Sequence, residues 1–566
     1  MNARKNYRRW VEEEEMPSDL KSELLSMDDK AIEDAFFKDI EFGTAGMRGL
    51  LGAGTARVNV YTIRKATIAF GQYLVNHFND ATTKGVVIAH DNRYKSRDFT
   101  LDCAQTLNKM GINTFIFDSL RPTPELSYAV RYLGCRGGIM ITASHNPKEY
   151  NGFKIYDENG AQLVPSKLAP MLSLLADMEA AIDVVVPTSP TLGVNTLLDQ
   201  SIDEAYLQDV INIRIDRELK PQKLKIVFSP EHGTASYLGM ELFTRLGYNV
   251  IPVESQMTAD PAFSNTKTPN PEEDAAYEEA IKLAQLHQAD IILVTDPDAD
   301  RLGLAYLDSN GDYARFTGNE SGALLLDYIL MKRQKLGLLR PNSAIYSTIV
   351  TSELGNKVAQ SYGVDVKLFL TGFKYIGDQV EKDLHDQSAH FEFGYEESYG
   401  LLIAPFVRDK DALQAMVLYS EMANHYKHMG MRLDKAYDHL MKKHGYFYDI
   451  SYSIMFPGAE GAKNMETMLT TLRSNPLTTL DEHLVVKHED YLHQYGEDKK
   501  GKYPLHTDKS DVLKYFLDNE STISIRPSGT EPKCKFYYCV RSEKSREDAR
   551  EMANHLHHEI LKIIGY

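Results

Sequence analysis

The chain has 566 residues, of which 43% are hydrophobic and 25% are charged, and its formal net charge is −17. This ordinary composition excludes a disordered or fibrous protein, and the length predicts about three to five domains. The acidic balance argues against nucleic acid as the main partner, because phosphate backbones are bound by clustered Lys and Arg. A local group of cations can still bind a small phosphorylated ligand.

The cysteine content and the N-terminal stretch indicate the compartment. The chain has four cysteines, none of them in a CxxC pair, which favours reduced thiols over a zinc site or a disulfide framework. The charged N-terminal stretch lacks the apolar core of a secretory signal, and no run of about 18 apolar residues occurs. We therefore expect a cytoplasmic protein that has no membrane partner.

A set of three largely apolar strands recurs three times along the chain. The strands are VVIAH (86–90), TFIFD (114–118), GIMIT (138–142), LKIVF (224–228), YNVIPV (248–253), IILVT (291–295), AIYSTIV (344–350), VDVKLFL (364–370) and HFEFG (390–394). Helix-like stretches separate the first two strands of each set, and strands with little polar alternation are typical of sheets covered by helices on both faces. We predict three similar α/β domains with mixed, mainly parallel sheets, over residues 1–205, 206–315 and 316–440.

The last part of the chain has a different pattern. TISIRPSGTEPKCKFYYCV contains two β-rich runs around a polar loop, and a terminal helix begins near Ser545. We predict a smaller α+β domain over residues 441–566. Within it, GEDKKGKY (496–503) almost matches a phosphate-binding P-loop, but Tyr503 replaces the Ser or Thr that would contact Mg²⁺. We interpret this segment as a solvated charged loop.

The first polar segment that follows a set of strands is TASHNPKEYNGFKIY, with Ser144, His145 and Lys154. Open α/β sheets bind ligands at the carboxyl ends of their strands. A Ser at such an end with cationic neighbours can be a nucleophile or a phosphoryl carrier, and Lys154 is a candidate for moving a proton. The alternative is a plain turn that leads into a hairpin.

The second polar segment is TDPDADR, which places Asp296, Asp298 and Asp300 at alternate positions after an apolar strand. Three carboxylates this close repel each other unless a cation lies among them, and Mg²⁺ prefers such oxygen ligands. An EF-hand is excluded, because Arg301 and Leu307 stand at the positions that require Gly and Glu. The alternative is a solvated acidic turn.

The third polar segment, GYEESYG, offers Glu396 and Ser398 as partners for adjacent sugar hydroxyls. RDKD follows it and adds Arg408 and Lys410 as candidate cations. A turn bounded by glycines, with ordinary surface charges, is the alternative.

A phosphate could be bound by RPSGTEPK, which lies between two predicted strands of the last domain. Arg526 offers two parallel donors, and Ser528, Gly529 and Thr530 offer hydroxyls and loop amides. GTAGMRG carries Arg48 among three glycines, but its spacing is not the dinucleotide-binding fingerprint. Two further segments at strand ends, TGFKY with Thr371 and Gly372 and HDNRYKS with Asn92 and Arg93, are also compatible with plain strand-to-helix turns.

The segments TASHNP, DPDADR, GYEESYG and RPSGTEP, in this order and at this spacing, resemble the α-D-phosphohexomutase superfamily, in particular its bacterial phosphoglucomutases. The resemblance implies four domains around a central cleft and the transfer of a phosphoryl group between C1 and C6 of glucose phosphate. It also implies one Mg²⁺ per chain and glucose 1,6-bisphosphate as intermediate and activator. A phosphorylated sugar is then the partner, and the sequence leaves both a monomer and a homodimer open.

The same resemblance implies a role for each matching residue. Ser144 would be the phosphoserine and would ligate the metal together with Asp296, Asp298 and Asp300. Cations of the cleft and candidate proton carriers would be Arg48, His145, Lys154 and Arg301. Substrate contacts would come from Thr371, Gly372, Glu396, Ser398, Lys410, Arg526, Ser528, Gly529 and Thr530.

Other functions are compatible with parts of this pattern. Phosphopentomutases and phosphomannomutases use the same mechanism, although GYEESYG resembles a glucose-type loop more than a mannose-type loop. A phosphatase of the haloacid dehalogenase type would use Asp296 as nucleophile and would release free phosphate. A sugar-phosphate sensor that has kept the fold would bind without turnover.

Overall fold

The computed structural model describes residues 3–43, 46–221, 224–528 and 533–565. These residues divide into two compact units. Unit 1 comprises residues 3–318 and 372–433, and unit 2 comprises residues 319–371 and 434–565. None of the described helices has both the length and the apolar character that a membrane span requires.

Three short helices precede the first sheet of unit 1, and they are Ala3–Glu12, Ser18–Ser26 and Asp29–Phe36. Trp10, the single tryptophan of the chain, is buried and packs edge-on against Phe36 and Tyr61. Tyr61 belongs to the first long helix of the α/β layer. An aromatic cluster therefore attaches the three N-terminal helices to that layer.

The first sheet of unit 1 has seven described strands, and two of its inner strands, Gly137–Ile141 and Val86–His90, are buried along their whole length. In spatial order the strands are Phe42–Gly43, Gly46–Leu50, Tyr150–Tyr156, Gly137–Ile141, Val86–His90, Thr114–Phe117 and Asn195–Leu198. The last four are parallel to one another and the first three pair antiparallel. The helices of this layer are Val60–His77, Ala81–Lys84, Ser96–Lys109, Thr123–Leu133, Pro165–Asp177 and Gln200–Asn212, with a 3₁₀ turn at Ala181–Asp183.

The second sheet of unit 1 has five described strands, with a parallel centre and an antiparallel edge. Their spatial order is Tyr313–Arg315, Leu302–Leu307, Ile291–Thr295, Lys225–Ser229 and Asn249–Pro252. Its helices are Ala235–Leu246 and Glu278–His287, with 3₁₀ turns at Glu254–Gln256 and Asp274–Tyr277. The rest of unit 1 comprises the antiparallel pair His390–Tyr395 and Leu401–Leu402 and the helices Phe373–Asp386 and Ala412–His428.

Unit 2 combines a parallel strand pair with a larger antiparallel sheet. The parallel pair is Ser343–Thr348 and Asp365–Phe369. The sheet runs, in spatial order, Tyr446–Met455, Lys533–Ser542, Thr522–Pro527, Leu513–Leu517, His483–Asp490, Tyr495–Asp498 and Gly501–Pro504, with Thr479–Leu480 beside His483–Asp490. The helices that lie wholly in unit 2 are Glu353–Ser361, Gly458–Ser474 and Arg546–Ile564. The helices Gly318–Lys335 and Leu433–His444 also belong to unit 2, except for the first residue of each, which belongs to unit 1.

All nine predicted strands are present within one or two residues of their expected bounds. The terminal helix begins after Ser545, whose hydroxyl accepts a hydrogen bond from the N–H of Asp548, as is usual for the residue that precedes a helix. The three boundaries between the four predicted domains stay a prediction.

The interpretation of GEDKKGKY as a charged loop is wrong. Residues 495–498 and 501–504 pair as antiparallel strands, so Lys499 and Lys500 are left for the turn. The Tyr503 hydroxyl reaches across strand 495–498 and donates a hydrogen bond to Glu489 on the strand His483–Asp490. The charged residues made this hairpin resemble a loop in the sequence. They are tolerated in its strands because the hairpin lies at the sheet edge, where polar side chains stay partly exposed.

Candidate active site

The three aspartates of TDPDADR are buried together in the loop that follows the strand Ile291–Thr295. One ligand oxygen of each lies within 4.8 Å of the others. The loop curls because Asp296 Oδ1 accepts the backbone N–H groups of Asp300 (3.1 Å) and Arg301 (3.0 Å). The predicted acidic cluster therefore exists as a compact, enclosed group and not as a solvated turn.

Ser144 reaches this cluster from the first sheet, since its loop follows the strand Gly137–Ile141. It is buried and has a left-handed backbone, with φ of 52°. Its hydroxyl donates to Asp296 Oδ2 at 2.7 Å and lies 3.2 Å from Nδ1 of His145. The structure thus brings the predicted nucleophile and the acidic cluster into direct contact.

Two lysines balance the charge of the aspartates. Lys154 Nζ donates to Asp298 Oδ2 (2.7 Å) and Asp300 Oδ2 (3.3 Å), and Lys410 Nζ lies 3.1 Å from Asp300 Oδ2. Burial alone would raise the pKa of Asp300, but Lys410, Lys154 and Arg301 outweigh it and lower that pKa. Burial and the neighbouring carboxylates Asp298 and Asp300 raise the pKa of Asp296 well above its usual value.

The donor set fits a divalent cation. Asp298 Oδ1 and Asp300 Oδ1 are buried, and neither has a hydrogen-bond partner among the described residues. Buried carboxylate oxygens rarely stay unpaired without a ligand, and hard divalent cations prefer this kind of oxygen. Asp296, Asp298 and Asp300 would therefore hold a divalent metal ion next to the Ser144 hydroxyl.

Thr123 holds one of these aspartates and was missed by the sequence reasoning. It is the first residue of the helix Thr123–Leu133 and is fully buried. Its hydroxyl donates to Asp298 Oδ2 (2.9 Å) and its backbone N–H donates to the Asp298 carbonyl (2.9 Å). Because Thr123 and Lys154 both occupy Oδ2, Oδ1 of Asp298 is the oxygen left for a metal. The available signal was the polar segment RPTPE after the strand Thr114–Phe117.

The predicted sugar loop is joined to the metal loop. The Leu302 N–H donates to the Tyr399 carbonyl, and Arg301 and Gly400 form a backbone bridge. Ser398 donates to Glu396 Oε1 (3.1 Å), and Lys410 Nζ lies 3.7 Å from the same oxygen. Lys410 therefore contacts both a candidate metal ligand and a candidate sugar ligand.

The remaining cations of unit 1 surround Ser144 less tightly. Arg301 donates to Glu272, and its Nε lies 3.9 Å from Asp300 Oδ1. Arg48 donates to the Asn146 side chain at 3.5 Å, at the upper limit of a hydrogen bond. Burial, followed by the charges of Arg301 and Arg48, lowers the pKa of His145 well below its usual value.

Other predicted residues lie apart from this group or outside the described ranges. Gly372, with φ of 118°, precedes the helix Phe373–Asp386 in unit 1, whereas Thr371, Arg526 and Ser528 belong to unit 2. Gly529 and Thr530 lie outside the described residues. Arg408 is buried against Glu381, to which it donates, so it serves packing inside unit 1.

A loop with strained backbone packs against the loop that carries the three aspartates. Glu231 and His232 are buried and both have positive φ, of 48° and 62°. The Thr234 N–H donates to the carbonyl of Pro297, and a Cβ on Gly233 would lie 2.4 Å from Pro297 Cα. This close approach requires glycine at 233 and connects the loop to the residue between Asp296 and Asp298. Burial raises the pKa of the Glu231 carboxyl to about 8.

Comparison with known proteins gives a family for this arrangement. Models described as phosphoglucomutase/phosphomannomutase alpha/beta/alpha domains I, II and III match residues 39–177, 204–309 and 317–444. The chain belongs to the phosphoglucomutase/phosphomannomutase family. A phosphoglucomutase of Staphylococcus aureus is 38% identical over 513 residues, which cover 90% of this chain and 91% of that protein.

Solved structures share the fold at low sequence identity. A family protein of Burkholderia thailandensis superposes with a TM-score of 0.67 at 18% identity, covering 93% of this chain and 97% of that chain. The Paramecium phosphoprotein parafusin, described as a phosphoglucomutase in its open form, has a TM-score of 0.67 at 18% identity, covering 94% and 97%. The predicted fold class, three α/β domains followed by a β-rich C-terminal domain with helices, is confirmed.

We expect Thr123→Val to weaken divalent metal binding by this family member about tenfold to a hundredfold. The substitution removes the hydroxyl that holds Asp298 Oδ2, so Oδ1 is no longer aimed at the metal. Isothermal titration with Mn²⁺ measures the affinity directly. Thr123→Ser is the matched control, because it keeps the hydroxyl; equal affinities of the Val and Ser variants would contradict this role.

We expect the stability of the protein to depend on pH through Glu231. Its pKa is raised to about 8 in the folded state, so the fold favours the protonated carboxyl and loses stability as pH rises from about 4.5 to about 8. Between about pH 5 and about pH 8.5, the unfolding free energy of the native chain should fall relative to Glu231→Gln by up to about 4 kcal/mol. Denaturant titrations measure it. Exposed Glu254→Gln is the control, and parallel pH curves for native chain and Glu231→Gln would disprove the effect.

Proposed function

We propose that this chain is a phosphoglucomutase that interconverts glucose 1-phosphate and glucose 6-phosphate through a phosphoserine at Ser144. The proposal depends on one observation, the hydrogen bond from Ser144 Oγ to Asp296 inside the acidic cluster. Asp300 of the same cluster contacts Lys410, which also contacts Glu396 in the sugar loop. A phosphoryl carrier, a metal site and a sugar ligand thus form one continuous group. The relatives named phosphoglucomutase favour glucose as the sugar.

The proposed first step transfers the phosphoryl group from Ser144 to the free hydroxyl of a sugar monophosphate. The bond between phosphorus and Ser144 Oγ breaks, a bond to the sugar oxygen forms, and His145 or Lys154 relays the hydroxyl proton to the departing Ser144 oxygen. The resulting glucose 1,6-bisphosphate turns around and returns its other phosphate to Ser144. The group in flight is a diffuse anion, so Lys154, Arg301 and Arg48 contribute mainly by positioning and positive charge.

We propose Mg²⁺, one per chain, as the metal. When bound by Asp296, Asp298, Asp300 and the phosphoserine, it would withdraw charge from the phosphoryl oxygens. The buried oxygens Asp298 Oδ1 and Asp300 Oδ1, which have no hydrogen-bond partner among the described residues, support this assignment. Glucose 1,6-bisphosphate would also act as the activator, because it can phosphorylate an empty Ser144.

The substrate contacts remain as the sequence predicts them. Glu396 and Ser398 would bind sugar hydroxyls, and Arg526, Ser528, Gly529 and Thr530 would bind the phosphate that does not react. Lys410, as a cation, and Thr371 and Gly372 would make further substrate contacts. A four-domain division at about 205, 315 and 440 accompanies this proposal. Four buried thiols support the cytoplasm as its compartment.

Two alternative reactions differ in their support. A phosphopentomutase or phosphomannomutase would use the same group of residues. A phosphatase with Asp296 as nucleophile has less support, because Oδ1 of Asp296 already accepts two backbone N–H groups and Oδ2 accepts the Ser144 hydroxyl. Such a carboxylate is held as a ligand and is poorly placed to attack phosphorus.

We expect Ser144→Ala to lower kcat at least about a thousandfold, because no other group would carry the phosphoryl. The measurement is the initial rate of glucose 6-phosphate formation with glucose 1,6-bisphosphate present. Ser388→Ala, in an exposed turn of the same unit, is the matched control and should stay near the native rate. Near-normal turnover of Ser144→Ala would defeat the phosphoserine assignment.

We expect glucose 1-phosphate to react faster than ribose 1-phosphate or mannose 1-phosphate, and a chelator to abolish the reaction. Parallel initial-rate assays with the three esters rank the sugars. If only ribose 1-phosphate reacted, the proposed mechanism would still hold, but the proposed substrate would be wrong. If inorganic phosphate were the sole product, the mutase proposal would fall.

A further inference from the structure

The loop that carries Ser144 has little support of its own. Residues 142–149 follow the strand Gly137–Ile141 without regular structure. Inside the loop, the Ser144 N–H donates to Thr142 Oγ1 (2.8 Å) and the Asn146 N–H donates to the Ala143 carbonyl (3.2 Å). The backbone of Ser144 is also left-handed, with φ of 52°, a conformation that is strained for a non-glycine residue. Contacts from outside the loop must therefore hold it.

Arg93 provides these contacts through four backbone carbonyls. Its guanidinium donates to the carbonyls of Pro147 (2.8 Å) and Tyr150 (3.0 Å) through one nitrogen, and to those of Ser144 (2.5 Å) and Asn146 through the other. The side chain is completely buried. Arginine suits this place because its planar group offers five donors in a fixed arrangement.

Two further contacts hold the guanidinium itself. Its Nε lies 3.2 Å from Oδ2 of Asp91, and Asp91 Oδ1 also accepts the Arg93 N–H. The ring of Phe263 lies 5.2 Å from the guanidinium carbon, and Asn92 donates to the carbonyl of Asp260 at 2.9 Å. Residues 260–263 lie in the connection between the strands Asn249–Pro252 and Ile291–Thr295 of the second sheet, so this connection stabilises the Ser144 loop of the first sheet.

We propose that Arg93 is a positioning residue for phosphoryl transfer, which holds Ser144 Oγ against Asp296 by fixing the carbonyls of the loop. Arg93 hydrogen-bonds the Ser144 carbonyl and not its hydroxyl, so it acts through the loop. This inference rests on the proposed function. A loosened loop would misplace the phosphoserine and admit water, which would take the phosphoryl group as inorganic phosphate and leave the free Ser144 hydroxyl.

The test compares Arg93→Lys with Arg136→Lys. Lysine keeps the charge at 93, but a single ammonium with three donors cannot serve four carbonyls. Arg136 is the matched control, because it makes a two-pronged pair with Asp80 (2.7 Å for each contact) and is part of the same layer. We expect kcat of Arg93→Lys to fall about a hundredfold with KM within about threefold, since small misplacements cost about that much. Arg136→Lys should match the native chain.

Two readouts separate positioning from a general loss of structure. Intact-mass spectrometry after loading with glucose 1,6-bisphosphate should show faster loss of the phosphoryl group in Arg93→Lys than in Arg136→Lys. Hydrogen exchange should be faster in segment 143–150 and unchanged in the strand Ile291–Thr295. Equal exchange and equal kcat in the two variants would overturn the proposal. A change of KM in Arg93→Lys with kcat unchanged would also overturn it.

Phe263→Leu covers the case in which Arg93→Lys does not fold. It removes the ring over the guanidinium and keeps the hydrogen bonds, so exchange in segment 143–150 should rise and kcat should fall, both by less than in Arg93→Lys. Native exchange and native kcat in Phe263→Leu would then overturn the proposal. If the native chain turned over no sugar phosphate, the proposed function would fail, while the exchange comparison would still decide whether Arg93 holds the loop.

Discussion

Mutual repulsion among three buried carboxylates is the constraint on which the rest of the site depends. Asp296, Asp298 and Asp300 offer oxygens within 4.8 Å of each other in an environment without bulk water. Such a group is stable only when cations and donors surround it. Lys154 and Thr123 from the first sheet, and Lys410 from the segment after the sugar loop, supply them.

This electrostatic requirement also explains why separate parts of unit 1 meet at one place. These groups lie on different elements, since Lys154 is on the strand Tyr150–Tyr156, Thr123 begins a helix and Lys410 precedes the helix Ala412–His428. Together they leave particular oxygens of the cluster open. The Ser144 hydroxyl donates to Oδ2 of Asp296, while Oδ1 of Asp298 and Oδ1 of Asp300 accept no hydrogen bond from the part of the chain that the structure describes. The charge balance that stabilises the fold therefore also defines where a metal and a phosphoryl group would bind.

The sequence predicted the strands and the three polar segments well, because apolar runs and residues of unusual chemistry are local signals. It missed Thr123, whose partner is 175 positions away, and it gave Arg93 only as a weak candidate that an ordinary turn could also explain. Their roles depend on which backbone atoms lie within reach after folding, and no local pattern contains that information. The hairpin at 495–504 was missed for another reason, since edge strands carry charges that resemble a loop.

The aromatic cluster around Trp10 has a practical consequence. The N-terminal helices lie before the part of the chain that the domain I model matches, which begins at residue 39. Trp10 is the one indole in the sequence and is buried where these helices meet Tyr61. Its fluorescence emission therefore reports on the packing of the N-terminal helices. During unfolding, a red shift of this emission that precedes the loss of far-ultraviolet circular dichroism would reveal that these helices detach first.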